Sequence, residues 1–167
     1  MTWKRGLFFL LAVSLASCTM PPETVKPALP NTSSMTVHVI RLRPGEDLKA
    51  ALEAYVATNH LEAAVILSCV GSLEVAAIRF ADRPDATIVP GKLEITSLVG
   101  TLAKSSGSHI HITVADSEGH ARGGHLMGGS RVYTTAEIAL GELPSVVFVR
   151  EKDETYGYQE LVVRPRP

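Results

Sequence analysis

Glu46-Asp47-Leu48-Lys49-Ala50-Ala51-Leu52-Glu53-Ala54-Tyr55-Val56-Ala57-Thr58 carries Leu48, Ala51, Leu52, Tyr55 and Val56 at helical spacing, one apolar stripe on a segment that is otherwise polar or small. Acidic Glu46 and Asp47 fall in what would be the first turn, where the helix dipole favours negative charge. Just upstream, residues 35–42 alternate Val37, Val39 and Arg41 with His38, Ile40 and Leu42, the period of a strand, and Arg43-Pro44-Gly45 ends it. No second helical stripe follows. Residues 63–70, 73–80, 93–103, 109–115, 132–140, 146–150 and 158–163 read as strands. Between them lie loop signals such as Asp82-Arg83-Pro84-Asp85, Val89-Pro90-Gly91 and Asp116-Ser117-Glu118-Gly119. One early helix among many strands packs most economically across one face of a mainly antiparallel sheet, so the expected fold class is α+β.

The chain ahead of this domain has a different character. Lys4 and Arg5 precede the apolar run Leu7-Phe8-Phe9-Leu10-Leu11-Ala12-Val13, which closes at Leu15-Ala16-Ser17-Cys18. That order is the order of a secretory signal, and a bilayer span would need about 20 apolar residues. Small residues before a cysteine resemble a lipobox, which implies removal of residues 1–17 and lipid on Cys18. Several acyl chains would hold it firmly, since each buried methylene contributes about 0.8 kcal/mol. Residues 18–34 contain Pro21, Pro22, Pro27 and Pro30 among Asn, Thr and Ser, a composition that cannot bury a core and reads as an extended tether. Thr19 stands where aspartate would signal retention in an inner membrane, so the expected place is the cell envelope, at the periplasmic face of an outer membrane.

Residues 35–167 then form one domain, large enough for a hydrophobic core. Without the signal the chain has fourteen Lys and Arg against seventeen Asp and Glu, a net charge near minus three, which gives nucleic-acid binding no electrostatic support. With Cys18 lipidated, Cys69 has no cysteine to pair with. It sits in an apolar run with no basic neighbour, and a buried inert thiol is expected.

The chemistry concentrates in histidines. His109 and His111 flank Ile110, so on a strand both project from one face. Fourteen residues after His111, Gly123-Gly124-His125 follows the turn at Asp116-Ser117-Glu118-Gly119, which folds the chain back toward the pair. Three imidazoles would leave a fourth position open, the pattern of an accessible zinc site, although copper, nickel and iron also accept such ligands. The competing reading makes His109 and His111 ordinary hydrogen-bonded strand residues and His125 a loop residue. His38, His60 and His120 have no such companions and are expected at the surface or at caps. If the site were hydrolytic it would need a base, for which Glu94 and Glu137 are the strand candidates, with Arg79 a candidate for holding an anion and a surface arginine otherwise.

Taken in order, Gly71-Ser72-Leu73, Leu93-Glu94-Ile95-Thr96-Ser97-Leu98-Val99-Gly100-Thr101-Leu102, His109-Ile110-His111-Ile112, Asp116, Gly119, Gly123-Gly124-His125-Leu126 and Val132-Tyr133-Thr134-Thr135-Ala136-Glu137 resemble the plant and prokaryote conserved (PPC) domain. The resemblance spans residues 37–163 and implies a compact α+β fold assembled as a trimer, with zinc on His109, His111 and His125. Plant relatives attach an AT-hook that enters DNA, and no Arg-Gly-Arg segment occurs here. The expected function is therefore a membrane-anchored, zinc-binding assembly module whose open metal position takes a small-molecule or peptide ligand. A zinc-dependent hydrolase or lyase is the alternative, and DNA binding by inheritance is disfavoured.

Overall fold

The computed structural model describes residues 32–167, so the signal, Cys18 and all but the last three residues of the tether lie outside the described residues. The elements run Thr36–Leu42 (β1), Leu48–Thr58 (α1), Ala64–Arg79 (β2), Thr87–Ala103 (β3), Gly107–Ala115 (β4), Ala121–Leu126 (β5), Arg131–Glu142 (β6), Val146–Lys152 (β7) and Gln159–Pro165 (β8). Six of the strands form one antiparallel sheet in the order β1-β6-β2-β3-β4-β5. The far end of β5 returns to β2, pairing Leu126 with Ile78 and His125 with Arg79. Strands β2, β3, β4 and β5 thus close a ring, and β6 and β1 extend from it. The architecture is α+β as expected, with one short helix a minor part of it among the described residues.

Helix α1 starts two residues later than the sequence suggests. Asp47 is its N-cap rather than a first-turn residue: its backbone is extended and its carboxylate accepts the Ala50 N–H at 2.9 Å. The second carboxylate oxygen accepts the Gly129 N–H, fastening the helix start to the loop before β6. Leu48, Leu52 and Val56 form the buried edge, one residue per turn, and join Leu73, Ile78, Leu98, Leu102, Ile112 and Val132 in the main core. Among the described residues no helix is long and apolar enough to cross a membrane.

Two expected breaks are absent. Strand β2 runs unbroken through Gly71, where a Cβ would stand 2.1 Å from the Thr135 carbonyl oxygen, so glycine lets β6 lie against it. Strand β3 starts at Thr87 and includes Pro90-Gly91, which the sequence marks as a loop. A strand proline is tolerated at bulges, and the β2–β3 register slips between Leu73 and Val75, the partner of Pro90.

Strands β7 and β8 pair with each other in a separate two-stranded sheet. Their hairpin is held by a small apolar cluster in which Val146 and Phe148 bury against Ala63 and Ala103. This docking brings the C-terminal residues toward β4.

Candidate metal centre

On β4 the burial alternates, with His109 and His111 exposed and Ile110 and Ile112 buried, as a strand with one face on the core requires. His111 is the direct cross-strand partner of His125 on β5. Gly124, just before His125, lies so close to β2 that a Cβ would meet the Arg79 carbonyl oxygen at 2.5 Å. The glycine permits the ring to close at the position that presents the third imidazole. Sequence spacing placed the three histidines together, and the structure brings them together.

One ligand nitrogen from each of His109, His111 and His125 lies within 4.8 Å of the others. The Nε2 atoms of His109 and His111 are 3.3 Å apart. With Zn–N bonds of about 2.0–2.1 Å, neighbouring corners of a tetrahedral site stand roughly 3.3–3.4 Å apart. The two β4 imidazoles therefore already have the spacing of adjacent zinc ligands. The rings are packed closely, with centroid separations of 5.0, 4.9 and 4.5 Å.

Two of the donors also have a fitting protonation state. Partial burial, then the charge of Arg150 and the nearness of His111, hold His109 below the usual imidazole range against a weaker upward pull from Glu160. Burial again comes first for His125, followed by Arg79 and the other two histidines, and its imidazole is lowered too. Neutral imidazole is the form that ligates a metal. The donor set thus suits a borderline metal such as zinc.

The histidines line an open groove of about 1140 Å³ whose other walls come from the segment after β2 and from the β7–β8 hairpin. Arg79 is the cross-strand partner of His125. Arg150 donates to the Thr101 hydroxyl at 3.0 Å, and Thr101 is the cross-strand partner of His109. Tyr158, Gln159 and Glu160 complete the hairpin's contribution. Sequence reasoning missed Arg150 and Glu160, because only the docking of the hairpin carries them to β4. The strand pattern of residues 146–163 was visible, but no spacing in it points to histidines at least 25 positions earlier in the chain.

Glu94 and Glu137 are elsewhere. Glu94 pairs with Ala115, four residues along β4 from His111 and so about 13 Å away. Glu137 is on β6 opposite Val70, nine residues along β2 from Arg79. Neither lines the groove. Cys69 is half-buried, and burial pushes its thiol up to about 11, which leaves it protonated and inert. His38 is not a surface residue as expected: half-buried, its ring bonds the Tyr55 hydroxyl at 3.0 Å and Glu142 at 3.3 Å. His60 meets Lys104 and His120 meets Asp116 and Glu118 at the surface.

Comparison with known proteins bears on both fold and site. Residues 30–144 match the Plants and Prokaryotes Conserved (PCC) domain. The bifunctional protein GlmU of Synechococcus sp. strain JA-2-3B'a(2-13) is 42% identical over 144 residues, which is 86% of this chain and 22% of that protein. The chain thus spans about a fifth of the length of the curated relatives it matches. A hypothetical protein from Salmonella cholerae-suis has the same fold with a TM-score of 0.80 and 40% identity, over 82% of this chain and 99% of that one. The metal-containing protein AF0104 of Archaeoglobus fulgidus superposes with a TM-score of 0.65 and 27% identity, over 78% of this chain and 95% of that one.

Proposed function

Because the chain belongs to the Plants and Prokaryotes Conserved domain family, we propose that it is an envelope-anchored binding module that holds zinc on His109, His111 and His125. The observation that carries this reading is the convergence of three imidazole nitrogens within 4.8 Å, two of them at zinc-ligand spacing. Zinc bound there would supply a Lewis-acidic position open to one further ligand. The chain's part is to align three imidazoles by strand pairing, to hold His109 and His125 below the usual imidazole range, and to place Arg79 and Arg150 beside them. The metal-containing Archaeoglobus relative supports the assignment.

Metal analysis tests it. The purified full chain should carry one zinc per chain, and His111→Ala should lose it while keeping its circular dichroism spectrum. A chain with all three histidines intact that takes up no zinc overturns the proposal.

Two further parts of the reading concern location and assembly. Lipid on Cys18 would place the domain at an envelope membrane, so Cys18→Ala should move the protein from membranes to the soluble fraction and abolish incorporation of labelled palmitate. Homo-oligomerisation is supported by exposed apolar residues on both sides of β6, Val37 and Val39 on β1 and Leu67 and Val70 on β2, and a trimer is what the family resemblance implies. A hydrolase or lyase reading has one observation in its favour, since Glu160 lines the groove and its charge reaches His109. Hydrolysis lost in Glu160→Gln with zinc retained would establish it.

A further inference from the structure

The geometry points to an oxyanion subsite beside the three histidines, formed by Arg79 and Arg150, that selects a small ligand carrying a carboxylate or phosphate. This inference rests on the metal reading for its place in the groove and goes beyond it in naming the ligand's chemistry.

The two arginines reach the groove from opposite sides. Arg79 ends β2 and sits one cross-strand position from His125. Arg150 comes from the β7–β8 hairpin and rests on Thr101, one cross-strand position from His109. Facing positions on neighbouring strands stand about 5 Å apart, so each guanidinium lies one side chain away from an imidazole. Both arginines are half-buried and line the groove.

Among the described residues no carboxylate lies within ion-pair distance of Arg79 or Arg150, whereas Lys49, Arg131 and Arg164 each have one. Arg79 donates weakly to the Arg83 carbonyl at 3.5 Å, and Arg150 donates to the Thr101 hydroxyl and the Gln159 carbonyl. Most of their ten N–H donors are left for a ligand. A half-covered guanidinium with no acidic partner is free to take an anionic ligand. The planar fork of arginine matches carboxylate and phosphate oxygens in pairs.

The surroundings agree on sign. Lys49, Arg79, Arg83 and Arg150 line the groove against Asp82 and Glu160, in a chain whose overall charge is slightly negative. Glu53 already neutralises Lys49, which leaves the arginines as the groove's free cations among the described residues. The Arg150 side of this subsite lies beyond residues 30–144, the part of the chain shared with the family. The subsite therefore joins Arg79 of the sheet matched by the family model to Arg150 of the C-terminal hairpin.

The test uses the full chain, metal-free and zinc-loaded, titrated calorimetrically with inorganic phosphate and separately with acetate at constant ionic strength. Zinc content is measured on every sample. Wild type should bind one of the two anions, and Arg79→Gln or Arg150→Gln should each weaken that binding about tenfold or more, with zinc content unchanged. Arg79→Lys and Arg150→Lys, which keep the charge and lose the fork, should fall between wild type and the Gln variants. Phosphate preferred over acetate assigns a phosphate ligand, and the reverse assigns a carboxylate. Equal anion affinity in wild type and both Gln variants, or no binding of either anion by zinc-loaded wild type, overturns the subsite and leaves the metal reading standing. Arginine-dependent anion binding by a chain that takes up no zinc supports the subsite and removes the metal reading instead.

Discussion

Gly124→Ala should destabilise the domain by about 2 kcal/mol, whereas Gly123→Ala, one residue earlier on the same strand, should cost less than half of that. At Gly124 the new methyl would stand 2.5 Å from the Arg79 carbonyl oxygen and 2.9 Å from the Ile78 side chain. Ordinary contact needs at least 3.4 Å, and the obstacle is backbone, so β5 and β2 must part by roughly 0.9 Å. Only two residue pairs join these strands, Ile78 with Leu126 and Arg79 with His125, so nothing farther along the ladder restores the seam. At Gly123 the nearest atom is the Thr113 hydroxyl at 2.6 Å, the end of a side chain that can turn, with the Ile112 carbonyl at 3.1 Å. Thermal melts of chelator-treated protein read the difference without any contribution from bound metal. For a domain of this size about 2 kcal/mol lowers the melting temperature by roughly 6–8 °C. A Gly124→Ala protein melting within a degree of wild type, or a Gly123→Ala protein equally damaged, would refute the close-approach argument.

Other expectations follow from the same contacts. In the metal-free chain, His109 and His125 should titrate below the ordinary value of 6.5, chiefly because burial opposes their charged forms, as NMR of their ring protons would show. Their folded values lie below the unfolded ones, so the stability they contribute is complete above pH 6.5 and is lost as pH falls toward the folded values. Midpoints above 6.5 would contradict this. Cys69, with its thiol raised to about 11, should resist iodoacetamide at pH 8 in the folded chain and react once unfolded. Val39→Asp, at a residue 83% exposed, should leave the melting temperature within a few degrees yet shift light-scattering mass toward the monomer; an unchanged mass would exclude this edge from assembly.

The class of fold and the site could be read from residue types because both rest on short periods. Alternation of His109-Ile110-His111-Ile112 fixes which face each imidazole takes, and the stripe Leu48, Leu52, Val56 fixes the buried edge of α1. What failed were local breaks. Gly71 and Pro90-Gly91 look like turns in isolation, but the β2–β3–β6 ladders absorb them with bulges and a close approach that depend on partners far away in sequence. His38 was misplaced for the same reason, since Tyr55 and Glu142 reach it only after β1 pairs with β6. Arg79 was already a candidate for holding an anion, whereas Arg150 was the least legible, because it meets Thr101 only once the hairpin has docked.

The β7–β8 hairpin has its own ladder and its own apolar footing on Ala63 and Ala103. Arg150, Tyr158, Gln159 and Glu160 belong to this hairpin rather than to the six-stranded sheet that carries the histidines. Natural selection can retune what the groove accepts without risking the scaffold, so diversity among descendants of this chain should accumulate in the hairpin while the β4–β5 ladder stays constant.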